Sequence, residues 1–299
     1  MLYWLARVLI AAVQALPLRL VARLGRLCGA LVYALDARHR RAALENLALC
    51  FGLERSPLAI RALARENFRR IGETFASAMR TATMSDDEIR AVLEIVGADH
   101  VVAAATHRQG IVVAVGHFGN FELYARGRLW AHGYQIATTY RALRQPSLNR
   151  LLQTLRAKSG CHFFERRGGA AALREAMSRG RMAVGFLADQ HAGNRGLPIP
   201  FFGHICSTSA APAVFALRYD ALLSTAVCYR TALARWRIEF GPPIPTHLGD
   251  APRPVEDIML DVNRAFEEAI RRDPANWFWV HRRWKPGKHR ARPGSRLPQ

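Results

Sequence analysis

The sequence predicts an α/β fold: a central, mostly parallel sheet flanked by helices, preceded by an N-terminal hydrophobic and amphipathic helical region suited to a membrane surface. Three observations predict it. From about residue 110 short apolar runs alternate with helix-like stretches, the pattern of parallel strands joined by helical crossovers. Before that point the chain carries helix start signals and helical periodicity. Residues 2–35 are mostly apolar, yet broken by arginines. With 299 residues, half of them hydrophobic, the chain can bury one large core or two small ones.

The elements follow in order. The longest early uncharged stretch, Val8 to Leu18, is shorter than the roughly 20 residues an ordinary spanning helix needs. It is a poor secretory signal, because Pro17 and Arg19 stand where small cleavage-site residues belong. Arg19, Arg23 and Arg26 recur at i, i+4, i+7 and share a helix face, with Val21, Leu24 and Leu27 beside them. That arrangement suits a helix lying in an anionic interface, and Tyr3 and Trp4 suit the same place. A core helix with a basic solvent face fits the same spacing. Residues 1–35 are therefore set apart as a membrane-associating segment.

Residues 36–286 form the α/β domain, helical up to about residue 109. Ser56-Pro57 reads as an N-cap with proline in the first turn, and Ala62, Phe68, Ile71, Phe75 and Met79 continue at helical spacing. Ser85 to Glu88 is a capping box. Strands are expected at Ile111–Gly116, Tyr134–Thr139, Met182–Leu187, Leu222–Tyr229 and Trp236–Phe240, and helices at 146–158, 169–179, 209–219 and 255–272. Residues 287–299 form a basic tail.

Lys plus Arg number 43 against 23 Asp plus Glu, giving a net charge of +20 and a pI near 11.1. Such a field draws polyanions: nucleic acid, anionic headgroups, phosphorylated glycolipids or an acidic protein. Five scattered cysteines form no CxxC pair, so neither a zinc ribbon nor a disulfide framework is suggested, and a reducing compartment is the default. No GxSxG elbow, phosphate loop, HExxH helix or GxGxxG turn is present, and the histidines show no paired metal-ligand spacing. No metal and no cofactor are expected.

The segment VVAVGHFGNFE ends an apolar strand in His117, between Gly116 and Gly119. In α/β sheets ligands gather at the carboxyl ends of strands. Glu122 falls in the first turn of the helix expected next, within reach of the imidazole. A carboxylate on one ring nitrogen fixes the tautomer and makes the other nitrogen a better base. A strand-end histidine capping a turn, with Glu122 favoured by the helix dipole, fits as well.

Three further stretches accompany it. CHFFERRGG (161–169) leads a short strand into Arg166 and a glycine turn, a setting for phosphate or carboxylate; a surface ion pair is the plainer reading. GFLADQHAGNRGLPIPFFG (185–203) runs from a strand into Asp189, Gln190 and His191, then into an apolar loop able to wall a lipid tail. NWFWVHRRWKP (276–286) places three tryptophans among basic residues, suited to base stacking, a lipid interface or a core edge. No recognition helix or RNP-like motif accompanies the charge, so a nucleic-acid role is not expected. A noncatalytic membrane scaffold is opposed by the intact His117–Glu122 pair.

GHFGNFE resembles the H-x4-D/E signature of glycerolipid-type acyltransferases. With FFERRGG, the ADQ segment followed by PFFG and Thr208, and WFWVHRRWK, the chain resembles the lipid A branch, the Kdo-dependent lauroyl and myristoyl acyltransferases, over about residues 1–286. The resemblance implies an enzyme on the cytoplasmic face of a Gram-negative inner membrane. It implies transfer of a fatty acyl chain from acyl carrier protein to a hydroxyl of a lipid A precursor, a phosphorylated glycolipid. It implies His117 and Glu122 as the catalytic dyad, with Arg166, Asp189, Gln190 and Asn120 binding substrate. The oxyanion would be met by backbone N–H groups of residues 119–122 or by Arg166. A lysophospholipid, an aminolipid or another glycolipid is the alternative acceptor.

Overall fold

The computed structural model describes residues 2–285, Leu2 by its backbone alone; the tail at 287–299 lies outside the described residues. Four helices come first: α1 (Leu2–Ala15), α2 (Leu18–Leu35), α3 (Ala37–Phe51) and α4 (Pro57–Thr81). Asp36 caps α3 and Ser56 caps α4 through side-chain oxygens, and Pro57 occupies the first turn of α4. The Ser85–Glu88 capping box starts the short α5 (Asp86–Arg90). There follow β1 (Leu93–Val96), α6 (Ala98–Ala104), β2 (Gly110–Val115), β3 (Gln135–Tyr140), α7 (Pro146–Ala157), β4 (His162–Glu165), α8 (Ala170–Ser178) and β5 (Met182–Leu187). The chain continues through β6 (Leu197–Phe201), β7 (His204–Thr208), α9 (Ala211–Arg218), β8 (Ala221–Ala232), β9 (Arg235–Phe240) and α10 (Val255–Arg272).

The main sheet has the order β1-β9-β8-β2-β5-β3-β4, and only the β8–β9 pair is antiparallel. β2 is buried along its whole length, which is why it reads as an unbroken apolar run. Val112 and Ala114 face a core built with α3, α4, α8, α9 and α10. Ile111, Val113 and Val115 face a second core built with α5, α6 and the 121–131 segment. All five expected strands lie in this sheet. The apolar loop expected after Gly196 is instead a hairpin, β6–β7. Pro198 and Pro200 disguise it, but they alternate with buried Ile199 and Phe201, a period of two. Ile199, Phe201 and Phe202 pack inward, so this segment builds core rather than a lipid wall.

The N-terminal helices pack onto this domain. α2 crosses α4 closely: a Cβ on Gly25 would lie 2.5 Å from the carbonyl oxygen of Gly72. Arg26 turns inward to Glu66 (2.9 Å) and Glu73 (3.4 Å), so it leaves the solvent face expected of it, whereas Arg19 and Arg23 are exposed. Buried Glu73 also accepts from Arg230 (2.8 Å) and from the Ala234 backbone N–H (3.0 Å), which satisfies its charge. The outer face of α1 and α2 exposes Trp4, Leu5, Val8, Leu24, Leu27 and Leu31. Among the described residues no helix is long and apolar enough to cross a membrane.

The tryptophans at the C-terminal end belong to the core edge, with Trp277 and Trp279 fully buried. Two buried asparagines tie that segment down. Asn46 on α3 donates to the carbonyls of Trp279 (2.7 Å) and His281 (2.8 Å), and Asn67 on α4 donates to those of Ala275 (2.9 Å) and Trp277 (2.5 Å).

Candidate active site

β2 and β5 are parallel neighbours with Val115 opposite Leu187, their last residues. Two residues further along each chain stand His117 and Asp189, brought level by that register. Gly119, with φ +47°, turns the chain away below them. His117 Nδ1 lies 2.9 Å from Asp189 Oδ1. The backbone N–H of His117 and the indole N–H of Trp277 both donate to Asp189 Oδ2, each at 2.8 Å. Burial is the largest influence on the Asp189 carboxyl and works to raise its pKa. The imidazole, the His117 hydrogen bonds and the Trp277 N–H outweigh it, leaving the carboxyl below its ordinary value. A carboxylate only accepts, so Nδ1 carries a proton; in the neutral ring the lone pair is then on Nε2.

The carboxylate on the imidazole is therefore Asp189, not Glu122. Glu122 instead receives two bonds from Arg156, at 3.1 Å from Nε and 2.5 Å from Nη2. The guanidinium stacks over Phe163 (5.0 Å) and Tyr140 (5.9 Å). The α-helix expected after His117 is a 3-10 turn, Phe121–Ala125. Buried Arg126 bonds the carbonyls of Thr81 (2.7 Å) and Met84 (3.0 Å), and Gly127 packs against the Ile136 side chain; these anchors break the helix.

Two cavities meet at this place, one of about 580 Å³ and one of about 390 Å³. His117, Phe121, Glu122, Arg156 and Gln190 line both. The larger runs down the sheet past Val115, Gly185 and Ala183 and under Trp130. The smaller opens between α4, at Phe75 and Met79, and α7, at Leu152 and Leu155. Arg166 lines the larger cavity and Arg167 is not among its lining residues.

Asp189 and Asn120, expected to touch substrate, line neither cavity. Asp189 is fully enclosed by its donors. Asn120 is fully buried, its amide nitrogen 3.5 Å from Thr81 Oγ1. The Gly119 N–H is used by the Asn276 carbonyl (3.1 Å), which removes it from the set of oxyanion donors. His281 also lines the larger cavity. Its Nε2 accepts from the His191 backbone N–H at 3.1 Å. Burial pushes the imidazole down to about 4, Asp189 pulls it up, and His117, Arg283 and Lys285 push it further down. Burial pushes the Cys161 thiol up to about 12, against the pull of Arg156 and with the help of Glu122, which disfavours the thiolate. Among the described residues no three His, Cys, Asp or Glu side chains gather as a metal-ligand set.

Arg156 and Trp277 escaped the sequence reading. Arg156 sits in an ordinary amphipathic helix, and nothing local couples it to a glutamate 34 positions earlier. Trp277 lies in a stretch suited to base stacking, a lipid interface or a core edge, and none of these readings points to its bond with Asp189.

A histidine at a strand end, held by a buried carboxylate, thus stands between two largely apolar cavities. The chain matches the family of bacterial lipid A biosynthesis acyltransferases over residues 1–286, and it belongs to that family. Membership makes it an acyltransferase for lipid-type acceptors. It is similar to the lipid A biosynthesis palmitoleoyltransferase of Escherichia coli (strain K12), 26% identical over 276 residues, 90% of this chain and 86% of that one. It is 27% identical over 292 residues to the lipid A biosynthesis lauroyltransferase of the same organism, covering 95% and 91%. The phosphatidylinositol mannoside acyltransferase of Mycolicibacterium smegmatis (strain ATCC 700084 / mc(2)155) is 24% identical over 226 residues, covering 74% and 72%.

Proposed function

We propose that this chain moves a fatty acyl group from acyl carrier protein to a hydroxyl of a lipid A precursor, with His117 as general base. The observation that carries this reading is the His117–Asp189 pair, whose tautomer leaves Nε2 as the acceptor at the junction of two cavities. Nε2 takes the hydroxyl proton as the oxygen bonds to the thioester carbonyl carbon. The tetrahedral intermediate expels the thiolate, which recovers that proton from the imidazolium. Asp189 holds the ring and balances its transient charge. Glu122 acts through Arg156, whose guanidinium it orients toward the developing oxyanion. Gln190 touches substrate at the same junction. Arg166, at the wall of the larger cavity, suits a substrate phosphate.

The net charge of +20 fits an acidic carrier protein, a phosphorylated acceptor and an anionic surface. The exposed apolar face of α1 and α2, beside Arg7, Arg19 and Arg23, suits attachment in the interface at the cytoplasmic side of a Gram-negative inner membrane. A second reading, transfer to a different glycolipid, draws on the similarity to the mannoside acyltransferase. The test is transfer from loaded carrier protein to a lipid A precursor, followed by mass spectrometry. His117→Ala should lower the rate by roughly 10²–10⁴-fold. Activity within a few-fold of wild type removes His117 from the mechanism.

A further inference from the structure

We infer that Gly185 sets how long an acyl chain the larger cavity accepts. The inference rests on the transfer reading above and adds which residue chooses the donor.

Gly185 lies in the middle of β5, an interior strand, paired with Val113 on one side and Thr138 on the other. Its neighbours Val184 and Phe186 are buried, yet Gly185 is only half-buried. An accessible residue in the middle of an interior strand means that its open side is the cavity, whose wall it forms. Most other glycines within elements are there because nothing else fits. A Cβ would meet backbone at 2.5 Å at Gly25 and at 2.7 Å at Gly110. At Gly185 the nearest atoms to a Cβ are Ala137 O at 3.9 Å, and Thr138 Oγ1 and Val115 Cγ2 at 4.0 Å, which is ordinary contact. Its φ lies outside the left-handed region. Neither packing nor backbone conformation demands glycine. Within a strand glycine weakens the sheet and marks a place where a ligand approaches the backbone closely.

The position along the strand gives the sense of the effect. Gly185 is two residues, about 7 Å at ~3.3 Å per residue, below the level of Val115 and Leu187 where the strands end. An acyl chain whose carbonyl lies at His117 and whose tail descends along β2 and β5 passes this level partway down. Beyond it the wall continues through Ala183 and Ile136 toward Trp130 and Phe240. A side chain at 185 would stand across that passage. Long chains would be stopped there, and short ones would end above it.

The experiment is a competition among carrier proteins loaded with saturated chains of graded length, with a lipid A precursor as acceptor. It compares wild type, Gly185→Ala, Gly185→Val and Gly185→Leu, read on those variants that melt with the wild type. Val96→Leu, at an exposed position on the edge strand β1, is the control and should keep the wild-type profile. The expected result is a graded shift toward shorter chains. For Gly185→Leu the ratio of longest to shortest accepted chain should change by at least about tenfold. Wild-type transfer with an unchanged profile in all three variants overturns this inference and leaves the transfer reading standing. An equal loss at every chain length also overturns it, because a merely structural role would act that way. No transfer by the wild type from any donor overturns the transfer reading and this inference with it.

Discussion

His117 Nδ1 and Asp189 Oδ1 stand 2.9 Å apart although 72 residues separate them, because β2 and β5 pair in a register that levels their ends. Asp189→Asn preserves the shape but removes the charge that fixes the tautomer, and its amide can present N–H to the ring nitrogen. We expect a rate loss of roughly 10²–10⁴-fold with little change in KM. The check is a kinetic comparison at saturating donor, with the melting temperature followed in parallel because Trp277 and the His117 N–H use the same carboxylate. A folded Asp189→Asn enzyme with near wild-type kcat would mean that the pair only braces the strand ends.

Glu122 and Arg156 should behave as one unit. Each holds the other through two bonds at the junction of the cavities. Glu122→Gln and Arg156→Gln should each lower kcat, and the double variant should be little worse than the poorer single one. Groups acting through a shared contact couple by about 0.5–3 kcal/mol in such a cycle. If the two losses simply add, Glu122 and Arg156 work independently and the orientation argument fails.

Much of this site could be read from the chain. His117 at a strand end was legible because β2 is buried on both faces and its apolar run stops abruptly at Gly116. The helices at 146–158, 169–179 and 255–272 were legible because each shows its periodicity within its own window. The partner of His117 was misjudged because Glu122 is near in sequence, whereas closeness to Asp189 comes from strand register, a property of the whole sheet. The same holds for Arg156. Its distance from Glu122 is set by how α7 lies over the 3-10 turn, and no short stretch encodes that. The hairpin β6–β7 was hidden because proline counts locally as a breaker, while here both prolines sit on its exposed side.

The exposed apolar face of α1 and α2 predicts interfacial binding. Replacing Leu24, Leu27 and Leu31 by serine should lower partitioning onto vesicles of mixed neutral and anionic lipid, because each buried apolar side chain contributes about 1.5–3 kcal/mol. These positions point away from α4, so the fold should persist. Binding left in the triple variant should be the more sensitive to salt, since the basic contacts that remain are screened beyond ~8 Å at physiological ionic strength. Sedimentation with vesicles checks both points. Equal sedimentation of wild type and variant would show that this face does not hold the membrane.

His281 gives the fold a pH dependence of definite sign. Burial, opposed by Asp189 and aided by His117, Arg283 and Lys285, holds its imidazole down to about 4, against about 6.5 in an unfolded chain. Between those values the unfolded chain binds a proton that the folded protein refuses. Stability from this group is therefore complete above about 6.5 and is lost as the pH falls toward 4, with no further loss below. Asp189 adds a separate loss that begins as the pH falls through the ordinary carboxylate value, where the unfolded chain takes up a proton that the folded carboxyl, its pKa lowered, still refuses. His281→Gln does not titrate, and its amide oxygen can still accept from the His191 N–H, the bond that His281 Nε2 makes at 3.1 Å. The variant should melt lower than wild type at pH 7, where the native contact is intact, and the gap should narrow or reverse as the pH approaches 4. Melting temperatures measured from pH 4 to 7.5 decide it. Parallel curves for the two proteins would mean that His281 titrates in the folded state as it does in the unfolded one, and that its place beside His117 and Asp189 is electrostatically indifferent.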